Sequence, residues 1–145
     1  METRSSWQSQ AAKPSTRSSG HMTYKFENVI AWQKAHQFVL AVYRITKGFP
    51  TDEVYGLTSQ FRRAAVSIEA NIAEGYKKLS KADKLRFMNI SQGSTEECRD
   101  YILLSRDLQY IDELQFSELY NLLEDASKML YLYCNGIMNN NGIKE

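Results

Sequence analysis

The 145 residues carry 18 Lys+Arg against 17 Asp+Glu, a chain length that fits one domain and a charge balance that excludes a strongly basic nucleic-acid binder, leaving only local patches. Two cysteines without CxxC spacing exclude a disulfide framework and read as reduced thiols. No apolar run reaches eighteen residues, so no membrane span is expected.

Residues 1–22 are rich in Ser, Gln, Thr and Arg, lack an apolar period, and end in Gly20-His21-Met22. They read as an expression-vector remnant or disordered tail and are set aside from the fold. The body from Met22 onward then holds fifteen basic and sixteen acidic side chains. Pro50 is the one proline beyond the tail, and glycine is sparse. Such a composition favours long helices.

A first helix is expected from about Asn28 to Lys47, capped by Asn28. Val29, Ile30, Trp32, Ala35, Phe38, Val39, Val42, Tyr43 and Ile45 give it an apolar stripe. Gly48 and Pro50 end it. A second helix runs from about Asp52 to Lys77, capped by Thr51 or Asp52, and buries Leu57, Phe61, Ala64, Ala65, Ile68 and Ile72. Ser80 caps a third helix whose apolar surface is Leu85, Phe87, Met88, Ile90, Tyr101, Ile102, Leu104 and Leu108. Gly93-Ser94 lies in its middle. Because a mid-helix glycine costs about 1 kcal/mol relative to alanine, Gly93 and Ser94 read as a close-packing contact. Tyr110 to Gln115 form the next turn. The fourth helix runs to about Met138 with a heptad-like seam of Phe116, Leu119, Leu123, Ala126, Leu130, Tyr133 and Ile137. Residues 139–145 read as a disordered C-terminus. The expected fold is all-α, an up-down-up-down four-helix bundle over residues 23–138.

On the second helix Gln60, Arg63, Ser67, Asn71 and Glu74 recur at spacings of three and four and share one face. Three readings compete: a solvated surface, a polar network at an interhelical or intersubunit contact, or a ligand cleft built on Arg63, Asn71 and Glu74. Catalysis has little footing. Glu74 has no His or second acid at fixed short spacing, and the sequence lacks a phosphate loop, HExxH, calcium loop or nucleophile elbow. No cofactor or metal site is expected, since the body holds one histidine, His36, which reads as a surface residue. Lys77, Lys78, Lys81, Lys84 and Arg86 cluster near the link between the second and third helices, and with Arg62 and Arg63 they could form a basic rim for nucleic-acid phosphates. The plainer alternative is a solvated helix start.

The order of Trp32-Gln33-Lys34-Ala35, Phe49-Pro50, Tyr55-Gly56-Leu57-Thr58-Ser59-Gln60, Arg62-Arg63-Ala64-Ala65-Val66-Ser67-Ile68, Asn71-Ile72-Ala73-Glu74-Gly75, and Gly93-Ser94 with Glu97 downstream resembles the proteins encoded in intervening sequences of bacterial 23S rRNA genes. The resemblance implies a four-helix bundle assembled as a homopentameric ring, in a cytoplasmic bacterial protein whose role is interaction with RNA, a ribonucleoprotein or a protein partner. A related branch, the accessory protein of diversity-generating retroelements, is a basic pentameric barrel that binds nucleic acid and a reverse transcriptase. This chain lacks that branch's positive charge, and Glu69 stands where many relatives place proline, so an unkinked second helix is expected.

Overall fold

The computed structural model describes residues 25–140. Four helices follow in order: α1 (Ile30–Thr46), α2 (Leu57–Lys77), α3 (Lys81–Asp107) and α4 (Glu113–Asn139). Cross-helix contacts set their directions. Thr46 and His36 of α1 meet Arg62 and Glu69 of α2, and Ser67 and Gln60 of α2 meet Ser94 and Tyr101 of α3. Arg99 and Lys81 of α3 meet Glu124 and Met138 of α4, and Arg44 of α1 pairs with Glu118 of α4. Each pair runs antiparallel, so the chain forms an up-down-up-down bundle closed by α4 against α1. The expected tail at 1–22 lies outside the described residues. The C-terminal boundary moves slightly: Asn139, expected beyond the fold, is the last residue of α4.

The core is built from Phe38, Val42, Phe61, Ile68, Ile72, Met88, Ile102, Leu119, Leu123 and Leu130, all buried. On α4 the expected seam holds, with Leu119, Leu123, Ala126 and Leu130 buried and Phe116, Tyr133 and Ile137 packed against them.

Helix α3 departs from the expectation. Of the apolar residues assigned to its inner surface, Met88 and Ile102 are buried, whereas Ile90, Leu104 and Leu108 are exposed. The buried stripe is instead Met88, Ser91, Thr95, Cys98, Ile102 and Ser105, at alternating spacings of three and four, with Ser94 beside it. Short side chains bring α3 close to α2, and two of their hydroxyls find partners: Ser91 Oγ donates to Ile68 O at 2.8 Å, and Thr95 Oγ1 to Ser91 O at 3.0 Å, whereas Ser105 Oγ is buried with no partner among the described residues. Cys98 and Cys134 are both buried free thiols, and burial raises the pKa of each.

Three helix ends differ from the sequence reading. Asn28 belongs to a short 3-10 turn, and Val29 precedes α1 without a side-chain cap. Thr51 and Asp52 also lie in a 3-10 turn, and α2 starts at Leu57. Its cap is Glu53, whose Oε1 accepts the Leu57 N–H at 2.9 Å while Oε2 accepts the Tyr110 hydroxyl at 2.8 Å. These two bonds, the backbone one first, hold the Glu53 carboxyl below its usual pKa, and the carboxylate raises that of Tyr110. Ser80 caps α3 as expected, accepting from Asp83 N at 3.1 Å. At α4, Asp112 and Gln115 form a complete capping box, so the helix begins inside the segment expected to be a turn.

Helix α3 ends in a Schellman motif. Tyr110 N–H donates to Ser105 O and Gln109 N–H to Arg106 O, each at 2.9 Å, which places Gln109 at φ 64°. A residue with a Cβ is strained by about 1–2 kcal/mol there. Gln109→Gly is therefore expected to raise stability by about 1 kcal/mol after the added freedom of the unfolded chain is counted. A lower urea midpoint for that variant would contradict the assignment.

Candidate functional site

The polar stripe of α2 divides into three parts. At its centre, Ser67 Oγ lies 2.7 Å from Ser94 Oγ, and Asn71 Nδ2 donates to Ser67 O at 2.8 Å and Ser67 Oγ at 3.0 Å. Here two helices approach closely and three small polar groups satisfy one another. Toward the α2 N-terminus, the Tyr101 hydroxyl donates a bond shared between Glu97 Oε2 at 2.9 Å and Gln60 Oε1 at 3.2 Å. Desolvation first, then the bond to Glu97, pushes the Tyr101 pKa up to about 12. Arg63 and Glu74 form the third part: both are exposed and neither makes an ion pair among the described residues. Eleven helical residues separate them by about 16 Å. The structure thus brings Ser67, Asn71 and Ser94 together and does not assemble Arg63, Asn71 and Glu74 around a cleft.

The close-packing assignment also divides. Ser94 is buried at the α2–α3 contact, whereas Gly93 is exposed and a Cβ built on it would meet nothing within 4 Å. The close approach within the chain is at Gly75, a residue not singled out in the sequence. A Cβ there would lie 2.9 Å from Phe87 Cβ and 3.4 Å from Lys84 O. Its signal was its place at the end of the Asn71–Gly75 string.

The basic residues do not form one rim. Arg62 lies near the start of α2, about 22 Å along the helix from Lys77. It is fixed on α1: Nε donates to Thr46 Oγ1 at 2.8 Å, Nη2 to Tyr43 O at 3.4 Å, and the guanidinium stands 4.6 Å over the Tyr43 ring. In the lysine cluster, Lys84 Nζ donates to Tyr76 O at 2.7 Å and Lys81 Nζ to Met138 O at 3.0 Å, so these lysines serve the C-terminal ends of α2 and α4. Lys78 and Arg86 flank the Phe87 ring, and Arg86 also pairs with Asp83 at 3.6 Å. Lys77 is exposed.

Sequence reasoning missed one further pair. His36 is not a surface residue but 17% exposed, stacked on Trp32, with Nδ1 2.9 Å from Glu69 Oε1. Glu69 therefore joins α2 to α1, and α2 continues through it as expected from the absence of proline. Among the described residues no cluster of three His, Cys, Asp or Glu could hold a metal, and no helix is long and apolar enough to cross a membrane.

An antiparallel bundle whose polar seam is largely closed on itself defines a helical protein with its accessible chemistry at the surface. The chain belongs to the family of 23S rRNA-intervening sequence proteins, whose pattern matches residues 27–132. Among solved structures, a protein of unknown function from the S23 ribosomal protein family of Bacteroides thetaiotaomicron superimposes with a TM-score of 0.67 at 21% identity, covering 73% of this chain and 96% of that one. That likeness supports the bundle fold. No curated protein matches the chain.

Proposed function

We propose that this chain is a non-enzymatic interaction module that works as an assembly of its own copies and presents that assembly to RNA or a ribonucleoprotein. One observation carries the assembly: the outward flank of α3 exposes Ile90 and Leu104, 44% and 42% accessible, with open Gly93 in helical register between them. An exposed glycine weakens a helix without return unless another backbone lies against it. Exposed apolar neighbours mark such a contact, and copies of one chain meet most readily in closed rings. The family resemblance supports five copies, and the family's name supports RNA as the partner.

Sedimentation of the wild-type chain is expected to give a mass several times 16.7 kDa. Gly93→Leu should sediment as a single chain with an unchanged or raised melting temperature, because glycine is replaced by a better helix former. A wild-type monomer at micromolar concentration, or a Gly93→Leu variant that still assembles, would count against the proposal.

A protein-only scaffold, docking a partner such as a reverse transcriptase, is the second reading. It is favoured by the engagement of Lys81 and Lys84 with main-chain carbonyls, which leaves the lysine cluster less free for phosphate.

A further inference from the structure

The second half of α1 and the start of α2 border an open groove of about 470 Å3, within the range of small-ligand sites. None of its eight lining residues is acidic, two are arginines, and Tyr43, Thr58 and Ser59 supply hydroxyls, that of Ser67 being engaged with Ser94 and Asn71. In a chain whose charges nearly cancel, this is a local concentration of positive charge and hydrogen-bond donors.

The groove is built before any ligand arrives. Arg62 is oriented by Thr46, Tyr43 O and the Tyr43 ring, which leaves its other guanidinium donors unspent. Arg63 follows it in the lining, exposed and without an ion pair among the described residues. The first turn of α2 adds main-chain donors. Glu53 takes the Leu57 N–H and Gln60 N–H starts the helical ladder at Gly56 O, so the amides of Thr58 and Ser59 are left at the positive end of the helix dipole. Thr58 is the decisive residue. It is 7% exposed, it lines the groove, and its hydroxyl makes no hydrogen bond among the described residues. Its Oγ1 is not sealed from the groove, so a ligand oxygen or a water at that wall can take the bond that the protein leaves unmade.

We infer that this groove binds a phosphate ester carried by a nucleotide. Two guanidinium groups, hydroxyls and helix-start amides match an anion with several oxygens in a tetrahedral array, whereas one guanidinium already satisfies a planar carboxylate. Tyr55 follows the groove-lining Val54 and is 93% exposed, a ring available for stacking on a base. The site does not depend on assembly and lies at the opposite end of α2 from the lysine cluster.

The test is a titration of the full 15N-labelled chain, followed by NMR, with inorganic phosphate, uridine 5′-monophosphate and a short single-stranded oligouridylate. Uridine serves as the control without phosphate. The phosphate-bearing probes are expected to shift the Thr58 and Ser59 amides and uridine is not. Arg63→Gln should weaken binding by roughly tenfold. Thr58→Val, which keeps the side-chain shape, should weaken it severalfold with the melting temperature retained. Equal affinity for monophosphate and oligomer identifies a small nucleotide as the source of the phosphate. Tighter oligomer binding with a steep salt dependence identifies an RNA strand. Silence at Thr58 and Ser59, shifts centred on Lys77 to Arg86, or unchanged binding by Arg63→Gln overturns the inference. Sedimentation of the same samples keeps this outcome separate from that of the assembly proposal.

Discussion

Gly75→Val is expected to lose about 3 kcal/mol of stability, and Gly75→Ala about 1 kcal/mol, by urea denaturation followed by helical circular dichroism. Two effects oppose each other at this site. Alanine inside a helix is favoured over glycine by about 1 kcal/mol. Against that, a Cβ on Gly75 would clash with Met88 Cε and fall 2.9 Å from Phe87 Cβ and 3.4 Å from Lys84 O. The Met88 methyl ends a flexible chain and can swing aside. Phe87 Cβ cannot, because it is bonded directly to the α3 backbone, so α3 itself would have to move. Overpacking of this kind costs about 1–3 kcal/mol and outweighs the propensity gain. Valine adds branching that loses rotamer freedom in a helix. A Gly75→Ala protein more stable than wild type would show that the α2–α3 link yields easily.

Phe61→Ala should cost about 4 kcal/mol, a large share of a stability that for a domain of this size is about 5–15 kcal/mol. The Phe61 ring is fully buried between Phe38 on α1, 6.4 Å away, and Tyr101 on α3, 5.8 Å away. Truncation leaves a cavity at the junction of three helices that none can fill alone. Phe61→Leu retains most of the volume and should cost under about 1.5 kcal/mol. If alanine and leucine proved equally mild in denaturant titrations, Phe61 would not be the keystone of this layer.

The helices of large side chains were legible. On α4, spacing alone placed Leu119, Leu123, Ala126 and Leu130 inside, and on α2 it placed Phe61, Ala64, Ile68 and Ile72. Helix α3 was not legible in that way. Its inner stripe uses Ser91, Thr95 and Ser105, and a hydropathy pattern assigns such residues to solvent. Ser91 and Thr95 can be buried because Ser91 reaches a carbonyl on α2 and Thr95 one a turn earlier, information that resides in the partner helix and the local backbone, and Ser105 is buried without such a bond. The misplacement of Ile90, Leu104 and Leu108 follows from the same cause: with small residues inside, the larger ones lie on the flank. The polar stripe of α2 was visible as a stripe, and its division between a closed seam at Ser67 and Asn71 and solvent at Arg63 and Glu74 required the position of α3. The groove was invisible as a unit. Tyr43 joins Arg62 only when α1 folds back along α2, and the first free amide of α2 is taken by Glu53 instead of by the expected Thr51 or Asp52.

The short hydroxyl side chains between α2 and α3 have an entropic consequence. Serine and threonine have few rotamers to freeze, so ordering Ser67, Ser91, Ser94 and Thr95 at that contact forfeits less freedom than ordering the leucines of α4.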